Sequence, residues 1–182
     1  MSTALIIVDI QNDYFPNGKM ELSNPGKAAA NAAKILDWFR QNNKDNIFHV
    51  QHIASNPEAG FFLPNTEGAK INEAVLPSKH ENIIVKNFPN SFLKTDLESK
   101  LREKGVTKVV IAGMMTHMCI DATVRAAVDL GFETTLIEDA CATKELSYQD
   151  KVVSAEQVHT AFISALNGIY ANVISAEDFL LS

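Results

Sequence analysis

This sequence predicts an open α/β fold, a mostly parallel, doubly wound sheet sandwiched between two layers of helices. Two observations carry that expectation. Short apolar runs alternate with stretches of helical periodicity along the whole chain. Parallel strands need crossovers of that length, and right-handed crossovers put helices on both faces of the sheet. Gly105 and Gly131 stand just past two of the helical stretches, where a C-cap glycine is expected. A single three-layer α/β/α domain over residues 1–182 follows.

Taken in order, the run Leu5-Ile6-Ile7-Val8 marks a first strand over residues 4–8. A helix over 25–41 carries apolar residues at Ala28, Ala32, Ile35, Leu36 and Phe39, with Asn24 as N-cap and Pro25 at the first turn. Trp38 lies on that helix and is assigned to packing. A strand over 47–51 leads into residues 54–78, which carry Pro57, Gly60, Pro64, Gly68 and Pro77 around Phe61-Phe62-Leu63. A loop this long in a small domain is more often functional than idle. It reads as an ordered flap over a site, with a short helix near 67–75. Strands over 83–85, 108–112, 134–138 and 173–174 then alternate with helices over 94–104, 120–130 and 154–167. No internal repeat, low-complexity tract or linker stands out.

Composition bounds the function. Hydrophobic residues make up 46% and charged residues 21% of 182, an ordinary globular profile. The net charge of -6 argues against non-specific binding to nucleic acid or to an anionic membrane. No apolar run approaches the ~18 residues that span a bilayer. Cys119 and Cys141 are the two cysteines, and neither lies in a CxxC pair, which suits a reducing setting. The first strand begins almost at once, with no basic or apolar leader pattern. The expectation is a cytoplasmic protein acting on a small molecule.

Cys119 falls between an apolar strand and an amphipathic helix, so its thiol sits at a helix start, where backbone N–H groups and the dipole favour a thiolate. Asp9 follows the first strand and Lys86 follows Ile83-Ile84-Val85. Ligands of open parallel sheets bind at the carboxyl ends of strands, so one crevice can hold all three. Taken singly, Asp9 reads equally as a turn residue, Lys86 as a solvated strand end, and Cys119 as a small buried hydrophobe. Their joint placement favours an active site, with a base for the thiol proton and a cation to lower the thiol pKa. Cys119, and not Cys141, is therefore expected to be the low-pKa thiol. Replacing any of the three is expected to stop turnover and leave the fold intact.

Three motifs now support a family resemblance: Val8-Asp9-Ile10-Gln11-Asn12-Asp13-Tyr14-Phe15, Lys86 after the third strand, and Gly113-Met114-Met115-Thr116 through Cys119, Thr123 and Arg125. The chain resembles the isochorismatase-like cysteine hydrolases, which include nicotinamidases and carbamoylsarcosine amidases. Members resembling streptothricin hydrolase share the wording Phe88-Pro89-Asn90-Ser91-Phe92 and Gly113-Met114-Met115-Thr116-His117-Met118-Cys119 most closely. The resemblance implies an Asp9–Lys86–Cys119 triad and a cis peptide between Met114 and Met115. It also implies an oxyanion hole built from the backbone N–H groups of Met115 and Cys119. The implied activity is hydrolysis of an amide or related C–N bond through a thioester, with no cofactor.

Departures narrow this. Nicotinamidases of the metal-dependent type carry an Asp-x-His set with a further His downstream. Here the stretch is Gln51-His52-Ile53-Ala54-Ser55, and His49 and His52 point to opposite faces of a strand. No metal site is expected. True isochorismatases split a vinyl ether without a cysteine nucleophile, so Cys119 favours C–N chemistry; an isochorismatase-type hydrolase of another small metabolite is the nearest alternative. A redox-reactive thiol with Cys141 as resolving partner and a non-catalytic binding module are the two other classes.

Gln11, Tyr14, Phe15, Phe61, Phe88, Phe92 and His117 are candidates for the substrate pocket, although aromatic residues at such spacing are as readily core. His117 reads as a wall or turn residue, because Asp9 already supplies the base. His159 is assigned to a helix surface or a subunit contact, Arg125 to a carboxylate partner, and Cys141 to a strand end bordering the pocket. The Phe61-Phe62-Leu63 cluster, together with the resemblance, predicts a homo-oligomer, a dimer or larger, whose flap closes a shared pocket.

Overall fold

Strand β1 (Ser2–Val8) runs through the middle of a six-stranded sheet in a computed structural model that describes residues 2–182. The other strands are β2 (Ile47–His52), β3 (Asn82–Lys86), β4 (Val106–Met114), β5 (Glu133–Ala142) and, last in the chain, β8 (Asn172–Ile174). Their order is β3-β2-β1-β4-β5-β8, and every neighbouring pair is parallel. Chain direction across the sheet reverses between β1 and β4, so a crevice opens at their carboxyl ends. The expected doubly wound fold is the observed one.

Helix α1 (Pro25–Asn42) covers one face, laying Ala28, Ala32, Ile35, Leu36 and Phe39 on Leu5, Ile7, Ile47, Val110 and Ala112. Helices α2 (Leu97–Glu103), α3 (Asp121–Asp129) and α4 (Ala155–Leu166) cover the other, where Leu97, Leu101, Val124, Ala127 and Leu166 meet Ala4, Ile6, Phe48, Val50 and Ile111. Each fully buried aliphatic chain here contributes roughly 1.5–3 kcal/mol. Among the described residues no helix is long and apolar enough to cross a membrane.

Several local features depart from expectation. Asn24 precedes α1 but adopts φ 51° and makes no side-chain cap bond, leaving Pro25 to open the helix. A hairpin of β6 (Leu146–Tyr148) and β7 (Lys151–Val153), too short and exposed to show periodicity, precedes α4. Helix α5 (Ala176–Leu181) closes the chain, with Phe179 stacked on Phe39 at 6.0 Å. No helix forms at 67–75; only a 3-10 turn at Glu73–Val75 remains. The cause is competition from the turn after β1. Asn12 N–H donates to Lys70 O and Asp13 N–H to Gly68 O, so carbonyl groups that a helix would use internally go to the turn after β1.

The flap is ordered and packs on its own subunit. Phe62 is buried in the α1-side core, 4.7 Å from the Tyr14 ring, and its N–H donates to Asp13 Oδ2 at 2.6 Å. Phe61 and Leu63 pack partly buried against the same cluster. Burial within its own subunit thus takes Phe62 out of water, while Phe61 and Leu63 keep part of their surface exposed. Gly68 permits the fit, since a Cβ there would lie 2.0 Å from Asp13 Oδ1.

Candidate active site

Four consecutive strand positions in the sheet, β3-β2-β1-β4, deliver one polar side chain each to the crevice. Asp9 leaves β1 with φ 51°, a left-handed turn that Asp tolerates, while its N–H still donates to Val50 O at 3.0 Å. Lys86 is the last residue of β3. Beyond β4, the Met114–Met115 peptide is cis, and a π-helical turn, Thr116–Ile120, carries Cys119 into α3. Close contact between β4 and β1 requires Gly113, because a Cβ there would lie 2.0 Å from Val8 O.

The three residues singled out from sequence come together. Lys86 Nζ lies 2.7 Å from Asp9 Oδ2, an ion pair in which neither side chain is exposed. It also donates to the carbonyl oxygens of Phe88 and Pro89, each at 3.0 Å. Burial works against the Lys86 charge, but Asp9 and Cys119 together outweigh it and the pKa rises, so the ammonium persists. Asp9 Oδ1 is buried without a hydrogen-bond partner.

Cys119 corrects an expectation. Its thiol is buried, and burial first, then the Asp9 charge, push its pKa upward; Lys86 pulls the other way and is outweighed. A helix start alone does not make a thiolate where water is excluded. The resting arrangement is thus a neutral thiol beside a carboxylate–ammonium pair. Cys141 is likewise pushed up to about 12, chiefly by burial. It donates to Ile137 O and lines a separate cavity of about 340 Å³ with Lys27, Glu138 and His159.

His52 is the residue that sequence reasoning missed. It ends β2, half-buried, with Nδ1 3.4 Å from Lys86 Nζ. One donor atom each from Asp9, His52 and Cys119 lie within 4.8 Å of one another. Burial, and after it the Lys86 charge, hold its pKa low, although Asp9 opposes them. Strand order was the available signal, since β2 borders β1 on the side away from β4. His49 faces the opposite way, as expected, with Nε2 2.8 Å from Glu81 Oε2.

The pocket candidates divide. Gln11 is corrected: its amide donates to His52 O at 2.9 Å and Ala69 O at 2.8 Å, and its oxygen accepts from His52 N–H at 2.7 Å. Both amide hydrogens and one lone pair are thus taken by backbone groups, and Gln11 clamps the end of β2 to the flap. Phe92 is corrected too, because it stacks on Phe132 in the core of the other face, ring centres 6.0 Å apart. Tyr14 lies in the flap-side cluster with its ring buried, and burial, then the charges of Cys119 and Asp9, raise its hydroxyl pKa. Phe15 and Phe61 border that cluster, and Phe88 is exposed beneath Lys94. His117 Nδ1 contacts Thr143 Oγ1, and burial followed by the Lys144 charge lowers its pKa. His159 is not a free surface residue: Nδ1 bonds Thr116 Oγ1 at 3.0 Å, inside the π-turn that carries Cys119. Arg125 pairs with Asp121 at 3.0 Å, as expected.

Comparison with known proteins finds relatives along nearly the whole chain. The isochorismatase domain family matches residues 3–178. The isochorismatase family protein YddQ of Bacillus subtilis is 59% identical over 180 residues, covering 99% of both chains. An isochorismatase hydrolase structure from Oleispira antarctica superposes with a TM-score of 0.94 at 45% identity, covering 99% of this chain and 96% of that one. More distantly, the nicotinamidase of Escherichia coli is 25% identical, over 81% of this chain and 86% of its own length. The streptothricin hydrolase of Streptomyces noursei is 29% identical, over 79% of this chain and 50% of its own length.

Proposed function

The chain belongs to the isochorismatase family of hydrolases, and we propose that it cleaves an amide or related C–N bond in a small molecule by covalent cysteine catalysis. The observation that carries this reading is the meeting of a buried Asp9–Lys86 ion pair with the Cys119 thiol at the switch point of the sheet. Nicotinamidase and streptothricin hydrolase among the relatives support C–N bonds as the target.

Asp9 takes the thiol proton as the Cys119 sulfur attacks the carbonyl carbon. Since burial and the Asp9 charge favour the neutral thiol, its proton has to pass to Asp9 for attack to occur. Lys86 stays protonated and balances the anionic charge shared by carboxylate and sulfur. The backbone N–H groups of Met115 and Cys119 hold the oxyanion, a contribution typically near ~3–4 kcal/mol per donor. Asp9 then returns its proton to the leaving amine as the C–N bond breaks. Water, deprotonated by Asp9, cleaves the thioester and restores the thiol. Tyr14, Phe15 and Phe61 wall the acyl side of the pocket.

A panel of small amides scored for amine release tests the reading, with intact-mass detection of an acyl adduct after acid quench. An adduct on Cys119, absent in Cys119→Ala, is expected. Amine release undiminished in Cys119→Ala would overturn it.

A further inference from the structure

We propose that Asp9, His52 and Cys119 together bind a thiophilic divalent cation, zinc above all, which reversibly blocks the site. The inhibitory part rests on the hydrolase reading; the binding part stands on geometry alone. A sulfur, an imidazole nitrogen and a carboxylate oxygen lie within 4.8 Å of one another. That is a donor set for zinc, whereas magnesium and calcium take oxygen ligands.

Two further observations make the cluster usable. Asp9 Oδ1 is buried with no hydrogen-bond partner, so it can turn its lone pairs to an ion while Oδ2 keeps Lys86. Lys86 in turn keeps the Phe88 and Pro89 carbonyl oxygens, each 3.0 Å away. His52 is also held in place, since Gln11 bonds both its N–H and its C=O. Asp9 and the His52 backbone are therefore fixed at adjacent strand ends, and side-chain rotation alone brings the three donors onto an ion.

Binding breaks the Cys119 S–H bond, forms a metal–sulfur bond and releases the proton to water, with no change of oxidation state. The ion brings two positive charges and the departing proton removes one. The nearby Lys86 ammonium then faces one extra positive charge, which keeps the ion exchangeable. A sulfur bound to metal has lost its lone pair for attack, so occupancy and turnover exclude each other. The ion inhibits and is not a cofactor.

The test uses metal-stripped full-length protein. Zinc is titrated against a chromophoric chelator, and cobalt(II) is titrated while following the thiolate-to-cobalt charge-transfer band. One ion per chain is expected, with that band present and Cys119 shielded from iodoacetamide at the alkaline pH where the free thiol is labelled. Cys119→Ala should lose the band, and Cys141→Ala should keep it. His52→Ala and His52→Gln should bind at least ~10-fold more weakly, the loss that even outer-shell changes produce. Circular dichroism confirms that each variant is folded, and a misfolded His52→Ala leaves His52→Gln to decide. Wild-type zinc affinity in Cys119→Ala or in folded His52→Gln overturns the site, as does absence of the band. Amide hydrolysis by the stripped protein without zinc binding refutes the site alone. Zinc binding without any hydrolysis refutes the hydrolase reading and leaves the site standing. Where hydrolysis is found, zinc must suppress it and chelator restore it; activation by zinc overturns the inhibitory role.

Discussion

Lys86 Nζ and Asp9 Oδ2 form a 2.7 Å ion pair with both side chains wholly buried. Removing one partner of such a pair strands the other charge away from water, at a cost of about 3–5 kcal/mol. On that ground the fold should tolerate replacement of Cys119 and should not tolerate loss of either member of the pair. Lys86→Ala should melt far below wild type, with Cys119→Ala close to it. Thermal melts followed by circular dichroism check this; equal melting of the two variants would show that Asp9 finds another counter-ion.

Turnover should fall by at least ~10³-fold in Cys119→Ala and in Asp9→Asn, and the double variant should be little worse than either single, since residues acting as a unit are not additive. Single-turnover assays on the best amide of the panel provide the measurement. Substantial activity in Asp9→Asn would require a different base, and His52 is the nearest.

Both thiols should resist iodoacetamide at neutral pH, because burial raises the pKa of each. Peptide mapping across pH should show labelling climbing only under alkaline conditions. Rapid labelling of Cys119 below neutral pH would restore the helix-start thiolate.

Acid should unfold the protein through Glu81. Its carboxylate, against the opposing effect of burial, is held down from 4.5 to about 2 by Arg40, the Ser78 N–H and His49. The folded value lies below the unfolded one, so this stabilisation is complete above about 4.5 and is lost as pH falls toward about 2. His49 acts in the same direction. Burial lowers its pKa below 6.5, so the unfolded chain takes up the proton first as pH drops. Melting temperature should fall on acidification, and Glu81→Gln should flatten the slope in the carboxylate range. An unchanged slope in that variant would assign acid sensitivity elsewhere.

Gly68→Ala should loosen the flap. The new methyl would meet Asp13 Oδ1 at 2.0 Å, and overpacking of this kind costs about 1–3 kcal/mol. Limited proteolysis between residues 54 and 78 should accelerate. Protection equal to wild type would mean that Asp13 yields without releasing Phe62.

Much of this was legible in the chain itself. The apolar runs around Leu5–Val8 and Val109–Ala112 mark buried parallel strands, because strands covered on both faces carry no polar alternation. The meeting of Asp9, Lys86 and Cys119 was legible because each follows such a run. His52 was not: one polar residue at a strand end looks like ordinary solvation until strand order sets it beside Asp9. Nor was the direction of the Cys119 shift, since sequence displays the helix start and hides the burial. Gln11 and Phe92 misled for a related reason. An amide and an aromatic ring near a motif carry no mark of whether backbone groups or core side chains have already claimed them.

The flap hangs from a few fixed points, Asp13, Gln11 and the backbone of residues 10–13, all within the short turn that also presents Asp9. Exposed positions between those anchors, such as Pro64 and Asn65, bear none of that attachment. The molecule thus leaves those outer positions open to change, one at a time, while Asp9, Lys86 and Cys119 stay where they are. A scaffold divided in this way can diversify its diet without having to reinvent its teeth.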